Sequence, residues 1–235
     1  MSKLVVVTGG TKGIGRAIVE KFASQGFQII TCSRKESALK ALENEVKSKY
    51  PSIIIHTFVA DLSKKTEVNN FISFVKSKTP AVDILVNNTG LYIPGQIHNE
   101  EEGALEHMIN TNLYSAYFLT RGLIDGMIRN KSGYIFNICS VASITPYVNG
   151  GSYCISKYAL YGMTKVLREE MKVHNIKVTA VLPGATKTAS WDGVDLPDDR
   201  FIKSEDIADA VFGVYSLSGN AVVEEILIRP QLGDI

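Results

Sequence analysis

Tyr153 and Lys157 lie four positions apart in a stretch where Tyr153, Ala159, Leu160, Met163, Val166, Leu167 and Met171 recur at roughly helical spacing. On a helix, residues i and i+4 share a face one turn apart, so a phenol and an ammonium are held side by side. A phenol ordinarily titrates near pH ~10. A fixed cation beside it favours the phenolate and brings that value toward the range of a working general acid or base. Taken alone, a tyrosine and a lysine at this spacing are more often an exposed surface pair. Their meaning depends on what the rest of the chain places around them.

The elements that must position them form an alternating series. Leu4 to Val7 is an apolar run of the fully buried strand type, and Thr8-Gly9-Gly10-Thr11-Lys12-Gly13-Ile14-Gly15 follows it directly. A helical pattern then runs through Ile14, Ile18, Phe22 and Ala23 to Gly26. Strand, glycine-rich turn and helix N-terminus make a unit that can cradle a pyrophosphate, because glycines allow close backbone approach and free N–H groups meet the charge. Phe27 to Cys32 is a second strand, ending in Ser33-Arg34-Lys35. A carboxylate there would suit the ribose hydroxyl of NAD, whereas an arginine fork suits the 2′-phosphate of NADP. Arg34, together with Lys12 on the glycine turn, favours NADP.

Further along, a helix from Glu36 to about Lys49 is stopped by Pro51, and Ile53 to Val59 reads as a strand followed by Asp61 and Leu62. Asp61 could cap the next helix or reach an adenine. A helix through Val68, Phe71, Ile72 and Val75 leads to a strand from Val82 to Val86 and the turn Asn87-Asn88-Thr89-Gly90. The stretch from Leu91 to Glu102 is a loop with three consecutive acids, bordering a substrate or merely solvated. A long helix is expected from about Leu105 to Arg129, with Asn112 inside it, an unfavourable residue for a helix interior. Strand Tyr134 to Cys139 delivers Ser140 at its carboxyl end, and the helix from Ser152 to about His174 carries Tyr153 and Lys157. Strand Lys177 to Leu182 runs into Pro183-Gly184-Ala185-Thr186-Lys187-Thr188. An irregular stretch from Ala189 to Phe201 with the sole tryptophan, Trp191, reads as a substrate loop near 185–203. Ser204 caps a last helix, and Ala221 to Ile228 is the final strand. This alternation predicts one α/β domain over 1–235, a doubly wound parallel sheet of about seven strands with helices on both faces, in the order 3-2-1-4-5-6-7.

Composition narrows the class further. The chain has 235 residues, 45% of them hydrophobic, with a formal net charge of +1, which gives no support for a nucleic-acid or membrane partner. The apolar run after Met1-Ser2-Lys3 is too short for a signal-peptide core, and no stretch is long enough to span a bilayer. Cys32, Cys139 and Cys154 form neither a disulfide framework nor a zinc pattern, and the four histidines show no ligand spacing. A reducing cytoplasm and no metal are the expectations.

The ordered set TGGTKGIG at Thr8–Gly15, NNTG at Asn87–Gly90, Asn112, Ser140, the Tyr153/Lys157 pair and Pro183-Gly184 resembles the short-chain dehydrogenase/reductase family over nearly the whole chain. The thirteen positions from Ser140 to Tyr153 fit that family's usual separation. Thr89, where the family usually has alanine, and the run Cys139-Ser140-Val141-Ala142-Ser143 depart from its pattern only slightly. The resemblance implies a catalytic set of Asn112, Ser140, Tyr153 and Lys157. Tyr153 would exchange a proton with the carbonyl oxygen, Ser140 would hold that oxygen, Lys157 would lower the Tyr153 pKa and bind the nicotinamide ribose, and Asn112 would position a water. It implies NADP(H) contacts from Gly9, Thr11, Lys12, Gly13, Ile14 and Gly15; from Ser33, Arg34, Asp61 and Leu62; from Asn88, Thr89 and Gly90; from Tyr153 and Lys157; and from Pro183, Gly184, Thr186 and Thr188.

On the substrate side, a small-molecule carbonyl compound, the candidate residues are Ser140, Tyr153, Tyr147 and Trp191. The tail from Val222 to Ile235, and Trp191 followed by Asp192-Gly193-Val194-Asp195, look like bacterial sepiapterin reductases. A flat pterin could stack on Trp191 while a carboxylate grips its ring. A general carbonyl or 3-ketoacyl reductase, and an NADP-binding sensor or scaffold, are the alternatives. The two long helices carry more apolar positions than one buried stripe needs, so a homodimer or homotetramer is expected.

Overall fold

Leu4 and Val6 pack into one hydrophobic cluster while Val5 and Val7 pack into another. A run buried on both faces needs helices above and below it, and the period-two alternation of a strand divides it between the two layers. The computed structural model describes residues 3–188, 191, 193 and 195–235. Its strands are β1 (Leu4–Thr8), β2 (Gln28–Ser33), β3 (Ile55–Val59), β4 (Ile84–Asn87), β5 (Gly133–Ile138), β6 (Ile176–Pro183) and β7 (Glu225–Ile228). They form one seven-stranded sheet in the order β3-β2-β1-β4-β5-β6-β7, and every pairing is parallel.

One face is covered by α1 (Gly13–Ser24), α2 (Glu36–Lys49) and α7 (Ser204–Tyr215), around Phe22, Phe136 and Val211. The other is covered by α3 (Lys65–Lys78), α5 (Ser115–Asn130) and α6 (Gly151–Met171), around Phe71, Leu119 and Ile135. A short α4 (Ala104–Ile109) precedes α5. Seven parallel strands bring seven carboxyl ends to one edge, where ligands of such sheets bind.

The fold departs from the sequence expectations at three places. The single long helix is interrupted: Asn110–Tyr114 forms a π turn, and Ser115 N–H donates to the Asn110 carbonyl five residues back. Such a bulge re-aims side chains and gathers at functional sites, and here it carries Asn112. β7 is shorter than the apolar run from Ala221 suggested, because only Glu225–Ile228 pairs with β6. Neither Ser204 nor Asp61 caps a helix. The Ser204 hydroxyl donates to the Lys187 carbonyl at 3.3 Å, and Asp61 closes the turn before α3 by accepting from the Ser63 N–H and hydroxyl.

The carboxyl ends of β1 and β4 are fastened through Thr8. Its hydroxyl oxygen accepts from Asn88 N–H and Thr89 N–H, both at 2.9 Å, in a residue that is 2% exposed. Thr8→Val keeps the shape and strands two half-buried donors. It should cost roughly 1–3 kcal/mol, read as a lower urea midpoint with an unchanged slope.

Candidate active site

The glycine turn sits where β1 hands over to α1. A Cβ at Gly15 would collide with the Asn88 side-chain amide and the Gly9 carbonyl, so only glycine lets the helix start this close to the strand end. Asn88 holds the turn, its amide donating to the Thr8 carbonyl at 2.8 Å and the Gly9 carbonyl at 3.3 Å. The α1 terminus has no side-chain cap, which leaves its first N–H groups for an anion. Thr188 borders the same turn: a Cβ on Gly13 would lie 3.0 Å from its methyl group. Ile14 packs against the core below the turn.

At the end of β2, Thr11 donates to the Ser33 hydroxyl at 3.1 Å, joining turn and strand. Arg34 and Lys12 are both exposed beside this joint, two cations where the ribose phosphate of a dinucleotide would sit. Burial works against the Asp61 carboxylate, yet hydrogen bonds from Ser63, with Lys64 and Arg34 beyond, hold it below its ordinary range. Leu62 turns its side chain into the core, leaving only its backbone for the crevice. Near β6, Gly184 N–H donates to the Ile228 carbonyl at 2.7 Å, and Thr186 is 4% exposed with its hydroxyl on the Gly184 carbonyl.

The chemistry-bearing groups converge over β5. Lys157, 4% exposed, donates from Nζ to the Ile138 carbonyl at 2.8 Å. Its ammonium lies 5.8 Å from the centre of the Tyr153 ring, and a Cβ on Gly90 would be 3.5 Å from it. Ser140 starts a short turn, its oxygen accepting from Ala142 N–H at 3.1 Å. That leaves the hydroxyl proton to donate, and it hydrogen-bonds Tyr153. The acidities run against the expectation from spacing alone. Burial pushes the Tyr153 phenol up to about 12, and the opposing pull comes from Ser140 rather than Lys157. Burial pulls the Lys157 ammonium down to about 8. The phenol is therefore a firmly protonated donor near neutral pH, and the lysine carries its charge only below about 8.

Asn112 is buried and its side chain ties two elements together. Its amide donates to the Leu91 carbonyl at 2.9 Å and the Ser156 hydroxyl at 2.8 Å, while its oxygen accepts from Leu91 N–H at 2.6 Å. The side chain thus clamps the start of the 91–102 loop to α6. The clamp also places Tyr92, which sequence reasoning passed over. The Tyr92 ring meets Tyr153 edge-on at 5.0 Å, and its hydroxyl hydrogen-bonds Tyr147. Burial, followed by the neighbouring Tyr153 and Tyr92, raises the Tyr147 phenol well above its usual range. The signal available in sequence was only an aromatic two residues past Gly90. Trp191 packs its ring edge-on to Phe201 at 5.1 Å, so it fastens its loop to the body. The carboxylate expected to grip a pterin, Asp192, lies outside the described residues, as do Ala189, Ser190 and Val194.

A parallel sheet of this order, with a phenol, a serine and a buried lysine over its carboxyl edge, defines a Rossmann-type oxidoreductase. The chain belongs to the short chain dehydrogenase family, whose model matches residues 3–197. A sepiapterin reductase of Chlorobaculum tepidum is 33% identical over 100% of this chain and 99% of its own length. A 3alpha-hydroxysteroid dehydrogenase of Mediterraneibacter gnavus is 33% identical over 96% of this chain and 94% of its own. Among solved structures, a metagenomic short-chain oxidoreductase in complex with NADP superposes with a TM-score of 0.85 at 30% identity, covering 97% of each chain.

Because its folded-state pKa is depressed to about 8 from an ordinary ~10.4, the Lys157 charge opposes folding. That penalty is full below about pH 8 and disappears as pH rises past the unfolded value. Lys157→Met removes that penalty along with the bond to the Ile138 carbonyl, so its stability relative to the parent should be most favourable at pH 7 and fall between pH 8 and ~10.4. Urea titrations of both proteins at pH 7 and pH 9.5 measure it. A relative stability that rose with pH would contradict the burial argument.

Proposed function

We propose that the chain is an NADPH-dependent carbonyl reductase, converting a ketone or aldehyde to an alcohol. The observation that carries this reading is the protonated Tyr153 phenol, joined to the Ser140 hydroxyl beside a buried ammonium. The room left by Gly15 and the uncapped α1 terminus suit a pyrophosphate, and the exposed Arg34 and Lys12 suit a 2′-phosphate. Bound there, NADPH supplies the hydride. Ser140 turns its hydroxyl proton from Tyr153 to the carbonyl oxygen, and Tyr153 donates a proton to that oxygen as charge builds on it. Lys157 offers a positive field from below and an ammonium for ribose hydroxyls.

The 33% identity to a sepiapterin reductase supports a pterin side-chain carbonyl as the first substrate to try. The rings of Tyr92, Tyr147 and Tyr153 give a flat molecule an aromatic wall. The equally similar hydroxysteroid dehydrogenase supports a broader reading, a fused-ring ketone of other chemistry. All three cysteines are free and buried, in keeping with the cytoplasm we propose for it.

An oxidation screen of NADPH and NADH against sepiapterin, diacetyl, aldehydes, ketoacyl thioesters, sugars and a 3-ketosteroid tests the reading. Tyr153→Phe should lose at least about 10²-fold in kcat, the scale of a general acid, while NADPH affinity survives. Arg34→Ala should narrow the preference for NADPH over NADH roughly tenfold or more, as loss of a charge-assisted contact implies. Binding of NADPH with no oxidation across the panel would instead favour a cofactor sensor.

We further propose a homodimer or homotetramer formed through α5 and α6. Tyr114, Tyr117, Ile155, Tyr158 and Val166 are exposed on or beside these helices, more apolar surface than a lone helix pair usually shows to water. Light scattering at micromolar concentration should give a mass of at least two chains, and a monomer mass would refute it.

A further inference from the structure

The sequence makes Glu100, Glu101 and Glu102 look alike, and the fold separates them. Glu101 and Glu102 are exposed, but Glu100 is half-buried and reaches a helix 52 positions away in sequence. One of its oxygens accepts from Ser152 N–H at 2.8 Å, and the other accepts from the Ser152 hydroxyl. Ser152 is 2% exposed and immediately precedes Tyr153. The N-cap position of α6 is Gly150, which has no side chain to offer the first turn. Those first N–H groups need outside partners, and Glu100 supplies one from a distant loop, with a charge that suits the positive end of the helix. A Cβ at Gly151 would collide with the Glu100 carboxylate, so the glycine there makes the approach possible.

This is the second of two fastenings on one loop. At its start Leu91 is gripped through backbone N–H and C=O by Asn112, which also donates to Ser156. Ser152 and Ser156 are one helical turn apart with Tyr153 between them. Between the two fastenings, Gly95 N–H donates to the Asn149 carbonyl at 3.0 Å. Tyr92, on the same loop, meets Tyr153 edge-on. The loop is thus tied to α6 on either side of the proton donor.

We propose that Glu100 is a positioning residue: by strapping the 91–100 loop to the first turn of α6, it fixes the Tyr153 phenol and the Tyr92 wall relative to one another. The proposal rests on the reading of Tyr153 as proton donor. Reacting groups displaced by about 1 Å lose on the order of 10²-fold in rate, whereas the cofactor turn lies at β1 and does not touch Glu100.

The test compares the parent with Glu100→Ala and Glu100→Gln. It uses single-turnover oxidation of bound NADPH with sepiapterin, or with diacetyl if sepiapterin is inert, together with NADPH titration and amide exchange of the ligand-free protein. Glu100→Ala should slow the transfer step roughly 10- to 100-fold with the NADPH Kd within about twofold, and should speed exchange at the Ser152 amide. Glu100→Gln keeps an acceptor oxygen and should recover most of the rate and protection. The proposal is overturned if Glu100→Ala transfers at the parental rate, if Ser152 exchange is unchanged, or if NADPH affinity falls in step with rate, which would mark general loosening. Should Glu100→Ala fail to fold, Ser152→Ala removes the hydroxyl donor alone and should give a smaller loss with the same pattern; parental behaviour there would overturn the strap. Failure of the reductase reading is told apart because the parent itself then leaves NADPH unoxidised. The positioning role would fall with it, while exchange would still report the strap.

Discussion

An ammonium held inside the protein against one carbonyl is the constraint on which the site depends. A buried cation is costly unless it is hydrogen-bonded, and Lys157 finds its acceptor in the Ile138 carbonyl at the carboxyl end of β5. That bond fixes helix against strand. Two residues beyond Ile138 the chain reaches Ser140, and one turn before Lys157 the helix presents Tyr153. The bond that satisfies the lysine therefore also brings the serine hydroxyl to the phenol. Low polarity then does the rest, keeping the phenol protonated and the ammonium poised near 8. Burial moves the acidities of the phenol and the ammonium in opposite directions within one site.

Around this centre, asparagine and threonine side chains replace the apolar packing that fills the rest of the molecule. Asn87 donates to Thr120 at 3.0 Å and to the Asn137 oxygen at 2.8 Å, and Asn137 donates in turn to Thr164 at 2.9 Å. This ladder runs from α5 through β4 and β5 to α6. Asn88 binds the glycine turn, and Asn112 binds the 91 loop. Hydrogen-bonded networks of this kind specify one arrangement more sharply than apolar contacts do, since each misplacement strands a buried polar group. These bonds join the ends of β4 and β5 to the helices α5 and α6.

The 91–102 loop shows how such an edge acquires an aromatic neighbour for Tyr153. By itself the segment is an ordinary connection with a proline, a glycine and three acids. Asn112 holds one end, and its side chain faces Leu91 and Ser156 from within the π turn. Glu100 holds the other end, and Tyr92 is carried between them against Tyr153. The π turn and the loop thus act as a single device, and the side chains nearest the phenol are set by contacts far apart in sequence.

The strand and helix order was legible in the sequence because it depends on short-range regularities. Runs such as Leu4 to Val7 and the apolar spacing of α6 declare their own secondary structure, and alternating strands and helices admit few topologies. The glycine turn, Arg34, Ser140 and the Tyr153/Lys157 pair were legible for a related reason: their spacing is local and their chemistry resides in residue type. Four things were not legible: the true source of the Tyr153 acidity, the clamp made by Asn112, the place of Tyr92 and the separate role of Glu100. The spacing of Lys157 suggested a cation strengthening an acid, but the depth of burial reversed the balance. Burial and cross-chain hydrogen bonds are properties of the folded packing, where residues 52 positions apart come within 2.8 Å. No local pattern in the chain encodes that proximity, so only the tertiary structure could decide it.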